Sequence, residues 1–245
     1  MLRPSLALMA ALMIVGSPLR ALAAEAPSAG LAFDLYHAAL LSVRRPSYVQ
    51  FEYMQTRSSS SGRVRVEQHR VFRASDGRER NDTIMVNGTR VVPPLSRIMR
   101  RLVWPYDADQ FTVSNDDYGV APAGMAVVAG RKTYGYTLAR KTPANFALKG
   151  LYVDVRRFLP VREAFSVTGG GCSGAGAIDF GPLAAYWLPI SVQVSCAIAS
   201  GPGSAVAPRV FKESIRFSNY HFPASIPADV LMAKSSTGAT GAAQP

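Results

Sequence analysis

Few residues in this chain have the type and spacing that chemistry needs. His37, His69 and His221 stand far apart, and none falls in a metal-ligand spacing such as HExxH. Gly169-x-Gly171-x-x-Gly174 has the spacing of a dinucleotide fingerprint. It joins two strand-like segments, however, so no helix N-terminus is offered to a pyrophosphate. Gly171-Cys172-Ser173-Gly174-Ala175 resembles a nucleophile elbow with alanine at its last glycine, and no histidine and acid are spaced to converge on Ser173. Asp116 and Asp117 are adjacent and point apart on extended chain, and Asp107 and Asp109 have no base or metal partner nearby. The expectation is a non-enzymatic protein with no metal and no cofactor. The arginines do not interleave with aromatics in an RNA-binding pattern, so nucleic acid is not expected as a partner.

The remaining reactive pair is Cys172 and Cys196, the two cysteines of the chain. Their meaning depends on compartment. Met1-Leu2-Arg3, an apolar run from Leu6 to Val15 and the small-x-small end Ala21-Leu22-Ala23 read as a secretory signal peptide over 1–23, too short in its apolar core to span a bilayer. An exported, soluble, periplasmic chain favours a Cys172–Cys196 disulfide. Closing that loop would stabilise by roughly 3–4 kcal/mol in the chain-entropy model. Residues 1–23 hold Arg3 and Arg20 and no acid, so cleavage leaves 25 basic against 16 acidic residues, a net charge of +9. That balance suits either an anionic membrane surface or acidic envelope partner, or simple solubility.

The elements that must position these residues are mostly strands. After a Pro/Ser/Gly linker (24–30), Leu31, Leu35, Ala38, Ala39 and Leu41 recur at helical spacing and end at Arg44-Arg45-Pro46, which predicts an amphipathic helix. Residues 48–92 read as a four-strand meander. Val49, Phe51 and Tyr53 alternate in the first strand, and Val64 and Val66 slip to Val71 in the second as if through a bulge. Asp76-Gly77 and Asn87-Gly88 mark tight turns. Pro93-Pro94 ends the meander, and Leu95, Ile98, Met99 and Leu102 at i, i+3, i+4 and i+7 predict a short basic helix. That helix is either a lid over an apolar pocket or an ordinary helix with a solvated basic face. Residues 107–123 read as loop with one possible strand near 111–113, and strands resume at 125–128 and 132–138.

The clearest pair is the hairpin 148–167. Leu151, Val153 and Val155 share one face of its first strand, and Val161, Phe165 and Val167 share one face of its second, around the charged corner 154–160. Leu188, Ile190, Val192, Val194 and Cys196 then alternate against Trp187, Ser191, Gln193 and Ser195, and 211–222 reads as a final strand. A small, polar tail over 233–245 is expected to be disordered. About ten antiparallel strands with two helices and no βαβ alternation argue for an α+β fold built on one curved sheet over 31–232. Phe51, Tyr53, Phe72, Tyr134, Tyr136, Phe165 and Phe217 give that sheet more large apolar surface than two helices can cover. The surplus either thickens a core or lines a cavity.

Five stretches in this order resemble a known family: Gly130-Arg-Lys-Thr-Tyr-Gly-Tyr-Thr-Leu138, Leu151-Tyr-Val-Asp154, Leu159-Pro-Val-Arg162, Tyr186-Trp-Leu-Pro189 and Ile215-Arg-Phe-Ser-Asn-Tyr220. Together they make residues 31–222 similar to the LolA-like superfamily of periplasmic lipoprotein carriers and outer-membrane lipoprotein-sorting proteins. The resemblance implies an unclosed half β-barrel wrapped around a few helices, with an apolar inner face that holds lipid or lipoprotein acyl chains. Relatives that bind a regulatory protein imply the alternative of a protein-binding module with a filled interior. On the first implication the cavity wall comprises Val49, Phe51, Tyr53, Tyr134, Tyr136, Val153, Phe165, Ile190, Val192 and Phe217. The lid comprises Leu95, Ile98, Met99 and Leu102.

Overall fold

The computed structural model describes residues 26–101, 113–169, 172–198 and 209–232. The expected signal peptide, the tail and residues Phe111 and Leu102 lie outside these. One helix, α1 (Ala29–Ser42), precedes eleven strands: β1 (Tyr48–Ser59), β2 (Val64–Ala74), β3 (Arg78–Val86), β4 (Thr89–Arg100), β5 (Tyr118–Val128), β6 (Arg131–Arg140), β7 (Phe146–Asp154), β8 (Pro160–Gly169), β9 (Cys172–Leu183), β10 (Tyr186–Ile198) and β11 (Arg209–His221). They form one antiparallel sheet in the order β4-β3-β2-β1-β11-β10-β9-β8-β7-β6-β5. The first and last strands pair in its middle, so β4 and β5, neighbours in the chain, become its two edges. The sheet is curved and not closed into a barrel, as expected of a half-barrel.

Turn chemistry places several joints. Asn87 and Gly88 both adopt left-handed backbone (φ 49° and 81°) between paired Val86 and Thr89, the two-residue hairpin that Asn-Gly favours. The 148–167 pair forms β7 and β8, with Leu151, Val153, Val161 and Phe165 buried on one face. Cys172 and Cys196 form the expected disulfide between β9 and β10, with Cα atoms 5.6 Å apart.

The glycines of β9 have a packing reason. A Cβ on Gly176 would collide with the Gln193 carbonyl oxygen of β10 and stand 2.5 Å from Cζ of Phe165, its cross-strand partner on β8, so only glycine fits between them.

Several expectations change. Residues 95–100 are strand, not helix: Leu95 pairs with Thr83, Ile98 with Arg80 and Met99 with Glu79. A short apolar run fits either period, and the free backbone edge of β3 decides it by taking a hydrogen-bonding partner. Pro93 and Pro94 are tolerated because β4 is itself an edge strand. No lid helix therefore covers the inner face at this point, and Leu95 is 64% exposed. The strand expected at 125–128 begins at Tyr118, so part of the expected loop is sheet.

Helix α1 buries Ala32, Phe33 and Tyr36, while Leu31 and Leu41 are exposed. Aromatic bulk, not the leucine spacing, sets its buried face. The bulge expected in β2 lies in β3 instead: Gln68 pairs with Met85 and His69 with Thr83, which leaves Ile84 as the extra residue. A second bulge sits in β10, where Pro189 pairs with Phe180 and Ser191 with Asp179. It shifts the phase, so Trp187 is buried and Ile190 is turned out at 37% exposed. Phe72, opposite Gln50 and Arg80, is half-buried on the other face of the sheet from Val71.

Candidate functional site

The inner face divides into a covered half and an open half. Over the covered half, Phe33 and Tyr36 of α1 join Tyr136, Leu148, Leu151, Val153, Val161, Phe165, Ile178 and Phe180 in one buried cluster. Tyr136 Oη donates to the carbonyl of Pro27 (3.3 Å), and His37 Nε2 lies 2.6 Å from the carbonyl of Val113, so the helix is tied at both margins. Trp187 Nε1 donates to the carbonyl of Pro160 (2.7 Å).

Within this apolar mass sits Glu163. It is fully buried, and Oε1 accepts from Tyr36 Oη at 3.2 Å. Oε2 finds no partner among the described residues. Burial drives its pKa well above the ordinary carboxylate value, because desolvation penalises the charged form and only one hydrogen bond opposes it. Tyr36 is pushed up as well, first by burial and then by the neighbouring carboxyl. Glu163 shares the parity of Val161 and Phe165, and that was the sequence signal for a buried acid.

The open half holds a pocket of about 390 Å³. Every residue lining it sits at an odd position, because alternation turns those side chains to the inner face of β1–β4 and β11. β1 contributes Phe51, Tyr53, Gln55 and Arg57, and β2 contributes Arg65, Glu67, His69 and Val71. Glu79, Asn81 and Thr83 come from β3, Arg97 and Met99 from β4 with Arg101 just beyond it, and Ile215 and Phe217 from β11. The floor is apolar, with Phe51 and Val71 nearly inaccessible, while the rim is charged.

A stacked network crosses the middle. The rings of Tyr53 and His69 lie 4.5 Å apart at 13°. Asn81 Nδ2 donates to Tyr53 Oη (2.9 Å), which leaves its Oδ1 facing His69 Nδ1 at 3.1 Å. Burial holds the His69 pKa below its ordinary value and lifts that of Tyr53. Arg65 donates to Glu67 (2.7 Å) and lowers its pKa. Arg73 and Glu79 form a buried pair at 2.9 Å, and Arg73 also donates to the carbonyl of Arg101 (3.1 Å).

Of the ten expected wall residues, Phe51, Tyr53 and Phe217 meet in this pocket. Val49, Tyr136, Val153, Phe165 and Val192 lie in the buried cluster, to which Phe51 and Phe217 also belong, with Tyr53 and Tyr134 packed against it and Ile190 outside it. Of the expected lid, Met99 lines the pocket, as part of a wall and not a cover. Sequence reading missed His69, Glu67 and the arginines. The signal was there: Arg65, Glu67 and His69 share the parity of buried Val71, so they face inward.

Ser173 lies exposed on β9 opposite Thr168 and Ala197. Among the described residues no group of three or more His, Cys, Asp or Glu is gathered as a metal site.

No protein-family model matches the chain, and no curated protein sequence does. Solved structures do. A LolA superfamily protein from Nitrosomonas europaea is 12% identical over 82% of this chain and 97% of its own, with a TM-score of 0.41. An outer-membrane lipoprotein-sorting protein domain from Vibrio parahaemolyticus is 8% identical over 81% and 95%, at 0.43. MucB in complex with MucA from Pseudomonas aeruginosa is 14% identical over 79% and 99%, at 0.28. The chain is similar to these structures at low identity and low TM-score, and takes neither ligand nor partner from them.

Proposed function

We propose that this protein is a non-enzymatic, exported binder of lipid or lipoprotein acyl chains, which it holds on the open half of its inner face. The observation that carries this reading is the pocket floored by Phe51, Val71, Ile215 and Phe217 beside a half that α1 already fills. Its volume of about 390 Å³ falls within the range of roughly 300–1,000 Å³ common for small-molecule sites. Each methylene buried there contributes about 0.8 kcal/mol. The charged rim keeps the empty pocket wetted and leaves the apolar floor to take the chain. Access runs past the β4 edge, where Leu95 and Ile98 are exposed.

The test is organic extraction of the purified protein followed by mass spectrometry. Stoichiometric acyl lipid is expected, and a protein that carries none and takes up none from vesicles would refute the reading. A second reading, a protein-binding module, is favoured by the open edge strand β4 with Val92, Leu95 and Ile98 exposed. Pull-down from envelope extract that depends on Leu95 and leaves lipid content unchanged would select it.

A further inference from the structure

His69 lines the pocket and is 8% exposed, and its buried Nε2 has no hydrogen-bond partner among the described residues. Its nearest acid, Glu67 Oε2, lies 3.8 Å away, beyond hydrogen-bond reach. Asn81 Oδ1 lies 3.1 Å and Thr83 Oγ1 3.3 Å from Nδ1, so both partners of the ring meet Nδ1, and with Nδ1 donating to Asn81 the unpartnered Nε2 is left for whatever enters the pocket. A buried polar atom without a partner, on a side chain that lines a cavity, points to a ligand that completes it.

The charges around that nitrogen decide which ligand. From β1, Arg57 is paired with Glu213, and Tyr53 stacks on the ring. On β2, Arg65 is paired with Glu67, and Glu79 of β3 is paired with Arg73. Arg97 and Arg101 also line the pocket, and among the described residues neither guanidinium meets an acid. The acids of the pocket are thus already matched, while two cations are not.

We propose that this pocket takes an amphiphile with an anionic head group, the anion bound between His69 Nε2 and the guanidiniums of Arg97 and Arg101 and the tail laid along the half-buried Tyr53 and Met99. This rests on the reading of the inner face as an acyl-chain site and names the head group that goes with the chain. A charge-assisted contact to Nε2 requires that nitrogen to be protonated. Burial holds the free imidazole below its ordinary pKa, and an anion beside it raises that value, so binding takes up a proton. Affinity therefore rises as pH falls through the histidine range.

Calorimetric titration of the delipidated full chain with octyl sulfate, octyl glucoside and inorganic sulfate tests this, each from about pH 8 to about pH 5.5. Octyl sulfate keeps one charge throughout, so a pH trend belongs to the protein. Octyl sulfate is expected to bind about tenfold more tightly than octyl glucoside at the low end, with the preference shrinking as pH rises. His69→Gln should abolish the pH trend. Arg97→Gln, on an edge strand, should cut the preference for octyl sulfate over octyl glucoside several-fold. Equal binding of the two amphiphiles in the wild type overturns the head-group proposal and leaves the acyl-chain reading standing. Binding of neither amphiphile overturns both. Inorganic sulfate binding as tightly as octyl sulfate overturns the amphiphile and assigns the pocket to a free anion.

Discussion

The two halves of one inner face use the same alternation for opposite ends. Beneath α1, the inward positions of β6–β9 are Tyr136, Leu148, Leu151, Val153, Val161, Phe165, Ile178 and Phe180, with Glu163 as the one carboxyl among them. Across β1–β4 the inward positions include Arg65, Glu67, His69, Glu79, Asn81 and Arg97 over an aromatic floor. The sheet geometry is continuous; what differs is whether a helix covers it. Where α1 supplies Phe33 and Tyr36 the strands answer with apolar side chains, and where no described helix covers them they carry groups that water or a ligand can satisfy. Burial of a polar group is tolerable only with a partner, so the composition of each half records its cover.

The comparison can be broken most easily in the covered half. Phe180→Ala should cost about 3–5 kcal/mol in urea denaturation, because a closed core cannot collapse around the cavity. The same truncation at Phe217, buried but bordering the pocket, should cost less, about 2–3 kcal/mol, because the space it leaves opens onto the pocket and can be wetted. Equal losses would show that the halves do not differ in packing.

Glu163 sharpens the contrast through pH. Its folded pKa is raised above the unfolded value, so its contribution is complete below the unfolded carboxylate pKa and is lost as pH rises toward the folded one. In that window the wild type should lose up to about 1.4 kcal/mol per pH unit relative to Glu163→Gln. Parallel urea midpoints for the two proteins from about pH 5 to about pH 7 would mean that the site is wet.

Gly176→Val should cost about 1–3 kcal/mol by forcing the Gln193 carbonyl of β10 and the Phe165 ring away from β9, read as a lowered Tm. Smallest of all, Arg65→Ala should change stability by less than about 0.5 kcal/mol, since its pair with Glu67 is exposed on the arginine side.

Much of this contrast was legible in the sequence, and the failures have physical causes. The β7–β8 hairpin and the Asn87-Gly88 turn were readable because local alternation and turn chemistry agree there. The half-barrel expectation followed from the motif resemblance. Residues 95–100 were not readable, because their apolar spacing fits a helix as well as a strand and only the open edge of β3 decides. Ile190 and Trp187 exchanged sides because a one-residue bulge reverses parity, and nothing in Leu-Pro-Ile-Ser announces it. Phe51, Tyr53 and Phe217, expected on a cavity wall from strand alternation, do line the pocket. His69, Arg97 and Arg101 were not, because a search for ligand spacing along the chain cannot see a cluster assembled across four strands.

The most direct test of where the ligand lies is photocrosslinking with a fatty acid that carries a diazirine in its chain, followed by peptide mapping. Adducts on β1, β2 and β11, at Phe51, Tyr53, Val71, Ile215 or Phe217, are the predicted result. Adducts confined to α1 and β7–β9, at Phe33, Leu151 or Phe165, would contradict it and place the chain beneath the helix.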